Sequence, residues 1–214
     1  MRLNLIILLL ITGLITKAGN QIDSLLVLYV DTSNEISRLE LLDEIVSKYS
    51  RFDTEKAIEY ENHRVQIFHG QNNYPEEITA LYKIGMFYYS ISNYEGALKL
   101  FIRGINLSNK HKLDNLIFFG NIYIGNVYFQ GNEPKKAYEY YMLALAKSIE
   151  QDDQSNISFC YNNIGNVCAV DSSFGNPEEY YLKALKIKEK LPEKASYIKS
   201  LGNMCIIYMK DEKY

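Results

Sequence analysis

The sequence repeats itself every forty residues. When the chain is laid over itself with a shift of 40, IGMFYYSISNYEGALKLF (84–101) aligns with IGNVYFQGNEPKKAYEYY (124–141) and with IGNVCAVDSSFGNPEEYY (164–181). The segment MCIIYMKDEKY (204–214) continues the series. The positions that recur in one register are Gly85, Gly125 and Gly165; Ala57, Ala97 and Ala137; Phe101, Tyr141 and Tyr181; Gly104, Ala144 and Ala184; and Tyr88, Tyr128 and Tyr208. A period of this length is typical of solenoids, in which each unit buries its apolar face against the next.

Each repeat is predicted to contain two helices. In the third repeat, residues 116–130 show helical apolar spacing, Gly131 and Asn132 break it, and Pro134 opens a second helix. We expect Asn132 to cap the free amides of that helix, because an asparagine side chain can accept from them. The equivalent entry points of the other repeats carry Asp53, Asn93 and Asn176.

Gly125 lies inside one of these predicted helices. A glycine there costs about 1 kcal/mol relative to alanine. We expect close packing to offset the loss: without a side chain at this position, the helix can approach its partner near Ala137, with Tyr128 and Tyr141 on either side. These residues are therefore given a structural role and no chemistry.

The third repeat resembles the tetratricopeptide repeat. The residues that carry the resemblance are Gly125, Tyr128, Ala137, Tyr141 and Ala144, and the similarity extends over about residues 38–214. It implies an all-α fold, a right-handed solenoid of antiparallel helix hairpins. The predicted units are about 38–77, 78–117, 118–157 and 158–197, with a partial unit over 198–214.

Two repeats depart from this pattern. In the first, Glu61 and Arg64 replace the expected aromatic and small residues, so we expect that unit to leave one face in solvent, as an end cap does. In the fourth, the turn SSFGNP is longer and Pro177 takes the alanine position. The second helix of that repeat is therefore predicted to start late, near Pro177.

Residues 1–20 are predicted to be a secretory signal peptide. Arg2 precedes an apolar run that is too short to span a bilayer, and Thr16 and Ala18 give a small-x-small pattern for cleavage after Ala18. An uncleaved membrane anchor is the alternative. Residues 21–37 are predicted to form a capping helix and linker ahead of the array.

The sequence gives no indication of an enzyme, a metal site or a cofactor. The 3 histidines fall at no metal-binding spacing, and no phosphate-binding or nucleophile motif is found. The net charge of −3, with both signs interspersed, does not favour nucleic-acid binding. Cys160, Cys168 and Cys205 are expected to be buried thiols, and a disulfide between Cys168 and Cys205 stays open.

The remaining candidate is the face of each first helix that would line the concave side. Positions around the repeating glycines place there Tyr82, Lys83, Tyr89, Tyr123, Asn126, Phe129, Asn162, Asn163 and Asn166. A primary amide offers both donors and an acceptor, and tyrosine adds rigid apolar area. In tetratricopeptide arrays that bind peptides, groove asparagines hold the peptide backbone, so the resemblance implies a protein or peptide partner. Alternatively, these amides bond to one another between stacked helices.

Exported arrays of this kind resemble the amino-terminal regions of bacterial membrane sensor kinases and regulators. The resemblance implies a protein-interaction or sensing module in the periplasm or cell envelope, with a signalling domain beyond Tyr214. The alternative is a structural scaffold that assembles through its own ends, since an open solenoid end exposes an apolar face.

Overall fold

The computed structural model describes residues 21–191 and 201–202. The chain divides into two compact units after Ile91. Within the described residues every regular element is a helix, and consecutive helices of each unit pack against each other. The all-α architecture of helix hairpins is thereby confirmed. The bounds of the predicted repeat units stay a prediction.

Residues 21–91, the described part of the first unit, contain four helices. Residues 21–31 are helical and are called α1. The others are α2 (Glu35–Tyr49), α3 (Thr54–Gly70) and α4 (Tyr74–Ser90). Ile22 of α1 is buried with Ile45, Tyr49 and Ala57, so α1 covers apolar surface of α2 and α3.

The described part of the second unit contains five α-helices and a short 3-10 helix. They are α5 (Tyr94–His111), α6 (Asp114–Gln130), α7 (Pro134–Glu150), α8 (Gln154–Val170), the 3-10 helix Ser172–Phe174, and α9 (Pro177–Lys188). Helices α6, α7 and α8 share one core, to which Phe118, Tyr141 and Ile164 contribute. The predicted late start of the fourth repeat's second helix is confirmed, because α9 begins at Pro177.

The turns between helices follow a period of their own. The left-handed residues Asn72, Ser92, Lys112, Asn132 and Asp152 recur every 20 positions, with φ between 52 and 60°. After four of these turns the next amide reaches back five residues, as Glu133 N–H does to the Tyr128 carbonyl at 2.8 Å. This pairing satisfies carbonyls that the helix end leaves free.

The turn geometry corrects the predicted role of Asn132. Asn132 is the left-handed residue of its turn, with φ of 58°, and the residue at the cap of α7 is Glu133, which makes no side-chain capping bond. Asparagine tolerates the left-handed region better than most residues. The same residue therefore suits either a turn or a helix cap, and Asn132 forms the turn. The other three predicted caps are confirmed: Asp53, Asn93 and Asn176 each accept from an amide of the following helix.

None of the helices in the described ranges is both long enough and apolar enough to cross a bilayer. The apolar run of the predicted signal peptide lies outside those ranges.

Candidate functional site

The repeating glycines make room for a tyrosine ring. A Cβ built on Gly125 would lie 2.5 Å from Tyr141 Cε1, and one on Gly165 would lie 2.7 Å from Tyr181 Cε1. The prediction that Tyr141 lies beside Gly125 is confirmed, and its ring fills the space that the glycine leaves. Both tyrosines are 2% exposed, so the contact lies in the interior.

Each of these rings is also held by an asparagine. The Tyr141 hydroxyl donates to Asn126 Oδ1 at 2.8 Å, and the Tyr181 hydroxyl donates to Asn166 Oδ1 at the same distance. Burial, with the Cys168 thiol nearby, raises the pKa of Tyr181 to about 12, so its hydroxyl remains a donor at neutral pH. The carbonyl oxygens of these two predicted peptide-binding asparagines are therefore engaged inside their own hairpins. We call each glycine, tyrosine and asparagine set an aromatic rung.

The first unit fills the corresponding position with charges. Glu61, one repeat before Phe101, is fully buried, and Arg64 Nη1 lies 3.1 Å from its Oε1. Lys83 Nζ approaches Glu61 Oε2 at 3.0 Å. Both cations also pair with Asp43, at 3.0 Å from Arg64 and 3.3 Å from Lys83. We call these four residues the charged rung.

The charged rung differs from the sequence prediction at Glu61, and it includes Lys83, one of the predicted groove residues. The replacement of apolar residues by Glu61 and Arg64 predicted that the first repeat leaves one face in solvent, but Glu61 is 0% exposed because two cations compensate its burial. Lys83, predicted to line the groove, forms ion pairs with Glu61 and Asp43 in this network.

Two predicted groove residues are buried. Tyr82 is 4% exposed and Asn162 is 5% exposed, so neither presents its side chain on an open surface. Tyr89 is half-buried, and Phe129 packs partly against the core of the second unit. A peptide-binding role for these residues stays a prediction.

An exposed stripe runs along the first helices of the second unit. Phe119 and Phe159, one repeat apart, are each 41% exposed. Phe119 stacks on Tyr123, with ring centroids 6.4 Å apart, and burial raises the pKa of the half-buried Tyr123. At the position of Tyr123 one repeat later stands Asn163, whose buried Nδ2 has no acceptor among the described residues. We call Phe119, Tyr123, Phe159 and Asn163 the aromatic–amide stripe.

Tyr123 and Asn163 were among the predicted groove residues, whereas the two phenylalanines were not. The available signal was their spacing: they lie 40 residues apart and seven residues before Asn126 and Asn166, which places them on the same helix face. The stripe offers aromatic area and an amide donor, which suit binding rather than bond-breaking chemistry.

The cysteines of the described region are inert thiols. Cys160 and Cys168 are free and buried, and burial raises the pKa of Cys160 to about 12. A thiol with such a pKa carries almost no nucleophilic thiolate at neutral pH. Cys205, the other partner of the disulfide left open above, lies outside the described residues.

No protein-family profile matches the sequence, and no curated protein matches it. Solved structures do resemble the fold. BtubC from P. vanneervenii aligns with a TM-score of 0.72 and 15% identity, over 91% of this chain and 82% of that one. A Rap protein complexed with competence and sporulation factor aligns with a TM-score of 0.62 and 16% identity, over 73% of this chain and 44% of that one.

A third solved structure carries the repeat in its description. The nearly identical TPR-like repeats of a Podosopora anserina protein described as a kinesin light chain align with a TM-score of 0.63 and 12% identity, over 82% of this chain and 89% of that one. Identities this low indicate a shared fold and nothing finer. Together with the helix hairpins and the aromatic rungs, these alignments show that the chain has the tetratricopeptide-repeat fold.

Proposed function

We propose that the chain is a protein-interaction module whose second unit binds an extended peptide or a partner helix. The observation that carries the proposal is the aromatic–amide stripe. Phe119 and Phe159 are each 41% exposed on consecutive first helices of the second unit, and one helical turn after Phe159 the partly exposed Asn163 has a buried Nδ2 with no acceptor among the described residues. Exposed aromatic rings provide the apolar contact of such a docking site, and a peptide carbonyl that reaches Asn163 Nδ2 would supply its missing hydrogen bond.

One structural neighbour supports a peptide-like occupant. The Rap protein mentioned above was solved with competence and sporulation factor bound, although this chain spans less than half of that protein's length. The asparagines of the aromatic rungs have a different role in the proposal. Asn126 and Asn166 position tyrosine rings, while Asn163 meets the partner.

The test begins with random peptides displayed on phage and selected against the full chain. A selected peptide is synthesised and titrated by calorimetry against the wild type and against Phe119→Ser/Phe159→Ser. We expect the double variant to weaken binding at least tenfold, which corresponds to about 1.4 kcal/mol.

The matched control is Leu143→Ser/Leu182→Ser. These leucines are 54% and 48% exposed and lie on the second helices α7 and α9. Their replacement should leave the affinity unchanged. Equal losses in both double variants, or a loss only in the control, would refute docking on the stripe.

The module is further proposed to be exported and to serve as the input of a membrane signalling protein. The support is the apolar amino-terminal run and the resemblance of the array to sensor regions. Fractionation of cells that express the native reading frame would test this. Recovery of the chain in the envelope fraction is expected, and recovery in the cytosol alone would contradict it.

The alternative scaffold function is favoured by a different observation. Val27, Val30 and Ile36 are 61%, 77% and 71% exposed, which leaves apolar surface near the beginning of the first unit. Self-assembly through this end predicts an oligomer that Val27→Asp/Val30→Asp converts to a monomer. Sedimentation of the wild type and of this double variant distinguishes the two functions, because a docking module needs no such oligomer.

A further inference from the structure

The first unit contains a polar cleft formed by α1, α2 and α3. Its volume is about 450 Å³, and its lining includes Tyr29, Glu35, Arg38, His63 and Gln66. A cleft of this size accommodates a small ligand or a short part of a larger one. All of its lining residues belong to the first unit, whereas the aromatic–amide stripe belongs to the second.

Arg38 is the main cation of this cleft. Its Nη2 donates to the Tyr29 hydroxyl at 3.3 Å, and its guanidinium lies 5.0 Å from the centre of the Tyr29 ring. Its Nε is buried and has no acceptor among the described residues. One edge of the cation is therefore removed from water without compensation, which is unfavourable unless a ligand supplies an acceptor.

The neighbours of Arg38 hold it in place without neutralising it. His63 Nδ1 lies 3.1 Å from the same Tyr29 hydroxyl, and its ring stacks on the Tyr29 ring at an interplanar angle of 16°. Glu35 lines the cleft as well, yet no ion pair joins it to Arg38 within the described part of the chain. The guanidinium is thus positioned by tyrosine and remains available for an anion.

We propose that this cleft binds a carboxylate group, with Arg38 as its cationic partner. A guanidinium matches the planar carboxylate through paired N–H groups. Glu35 brings one negative charge into the cleft, so the site favours a singly charged anion over a phosphate dianion. The carboxylate can come from a small organic acid or from the end of a peptide.

The experiment uses the full chain labelled with ¹⁵N and follows the arginine Nε–H signals by NMR. Sodium acetate is titrated at constant ionic strength, with sodium chloride as the reference salt. We expect a saturable shift of the Arg38 signal, with an affinity for acetate at least tenfold greater than for chloride. The signal of Arg51, an exposed arginine in the turn after α2, should not follow it.

Two variants and two further anions complete the test. Arg38→Gln should abolish the saturable shift of neighbouring amides, whereas Arg51→Gln should retain it. Tighter binding of N-acetylglycine than of acetate would identify a peptide end as the ligand, and equal binding would identify a small acid. No saturable shift in the wild type, or tighter binding of phosphate than of acetate, would overturn the proposal.

Discussion

The position that a tyrosine ring fills in the second unit is filled by a carboxylate in the first. Tyr141 and Tyr181 pack over a glycine and donate to an asparagine, whereas Glu61, at the same point of the period, pairs with Arg64 and Lys83. All three side chains are at most 2% exposed. One location in the repeat is therefore buried by two different kinds of interaction.

This comparison indicates that the repeat requires a buried side chain at this position but allows either an aromatic ring or a paired carboxylate. An aromatic rung is stabilised by apolar burial and one hydrogen bond, and it requires a glycine opposite the ring. A charged rung has no such requirement, and Ile45 stands where the glycine would be. Its stability depends instead on the balance between desolvation of Glu61 and attraction from its partners.

The largest effect is expected from Glu61→Gln. This change leaves Arg64 and Lys83 without their buried partner, and breaking a buried pair commonly costs 3–5 kcal/mol. We expect a loss of about 3 kcal/mol in the free energy of unfolding, because Asp43 still pairs with both cations. Urea denaturation, combined with hydrogen exchange in α3, measures it.

The control for this prediction is Glu59→Gln, which removes an exposed carboxylate from the same helix. It should change stability by less than about 0.5 kcal/mol. Glu61→Tyr should also be destabilising unless Ile45→Gly accompanies it, since the ring needs the space that a glycine leaves. Wild-type stability of Glu61→Tyr alone would contradict this requirement.

Gly125→Ala tests the aromatic rung by removing its space. The new Cβ would lie 2.5 Å from the Tyr141 ring, so overpacking of about 1–3 kcal/mol outweighs the gain of about 1 kcal/mol in helix propensity. We expect a net loss of up to about 2 kcal/mol in the free energy of unfolding, measured by urea denaturation.

Gly70→Ala is the matched change, because a Cβ there meets nothing within 4 Å. It should be neutral or mildly stabilising. Combining Gly125→Ala with Tyr141→Leu should cost less than the sum of the two single changes, and strict additivity would contradict the contact.

Tyr141→Phe removes only the hydrogen bond of the aromatic rung. The hydroxyl donates to Asn126 at 2.8 Å, so we expect a loss of about 1 kcal/mol, measured by urea denaturation. Phe101 occupies the equivalent position one repeat earlier, which indicates that the ring alone is compatible with the fold. Tyr140→Phe on the same helix should be neutral. An equal loss of stability in the two variants would contradict a stabilising role for the Asn126 bond.

Lys112→Gly should produce the smallest effect, and in the opposite direction. Lys112 holds a φ of 57° in the turn between α5 and α6, a conformation that glycine adopts without strain. We expect a gain of about 0.5–1 kcal/mol in stability by urea denaturation. Asn132→Gly should stabilise the chain less, because asparagine already tolerates this region. A larger gain from Asn132→Gly than from Lys112→Gly would contradict this explanation.

The sequence predicted the parts of the fold that depend on spacing. The period located the helices, the rung positions and the late start at Pro177. It did not predict that Glu61 is buried, because its compensation comes from Lys83 on another helix. It also missed Phe119, since α6 is apolar on most of its faces and periodicity cannot show which ring stays in water.

The roles of the asparagines provide the most direct test, by comparing Asn126→Ala with Asn163→Ala. For a phage-selected peptide, the free energy of unfolding and the calorimetric affinity are measured for both variants. We predict that Asn126→Ala lowers stability by about 1 kcal/mol and leaves affinity intact, whereas Asn163→Ala weakens binding without lowering stability, since its buried Nδ2 has no hydrogen bond to lose. The reverse pattern would contradict this prediction.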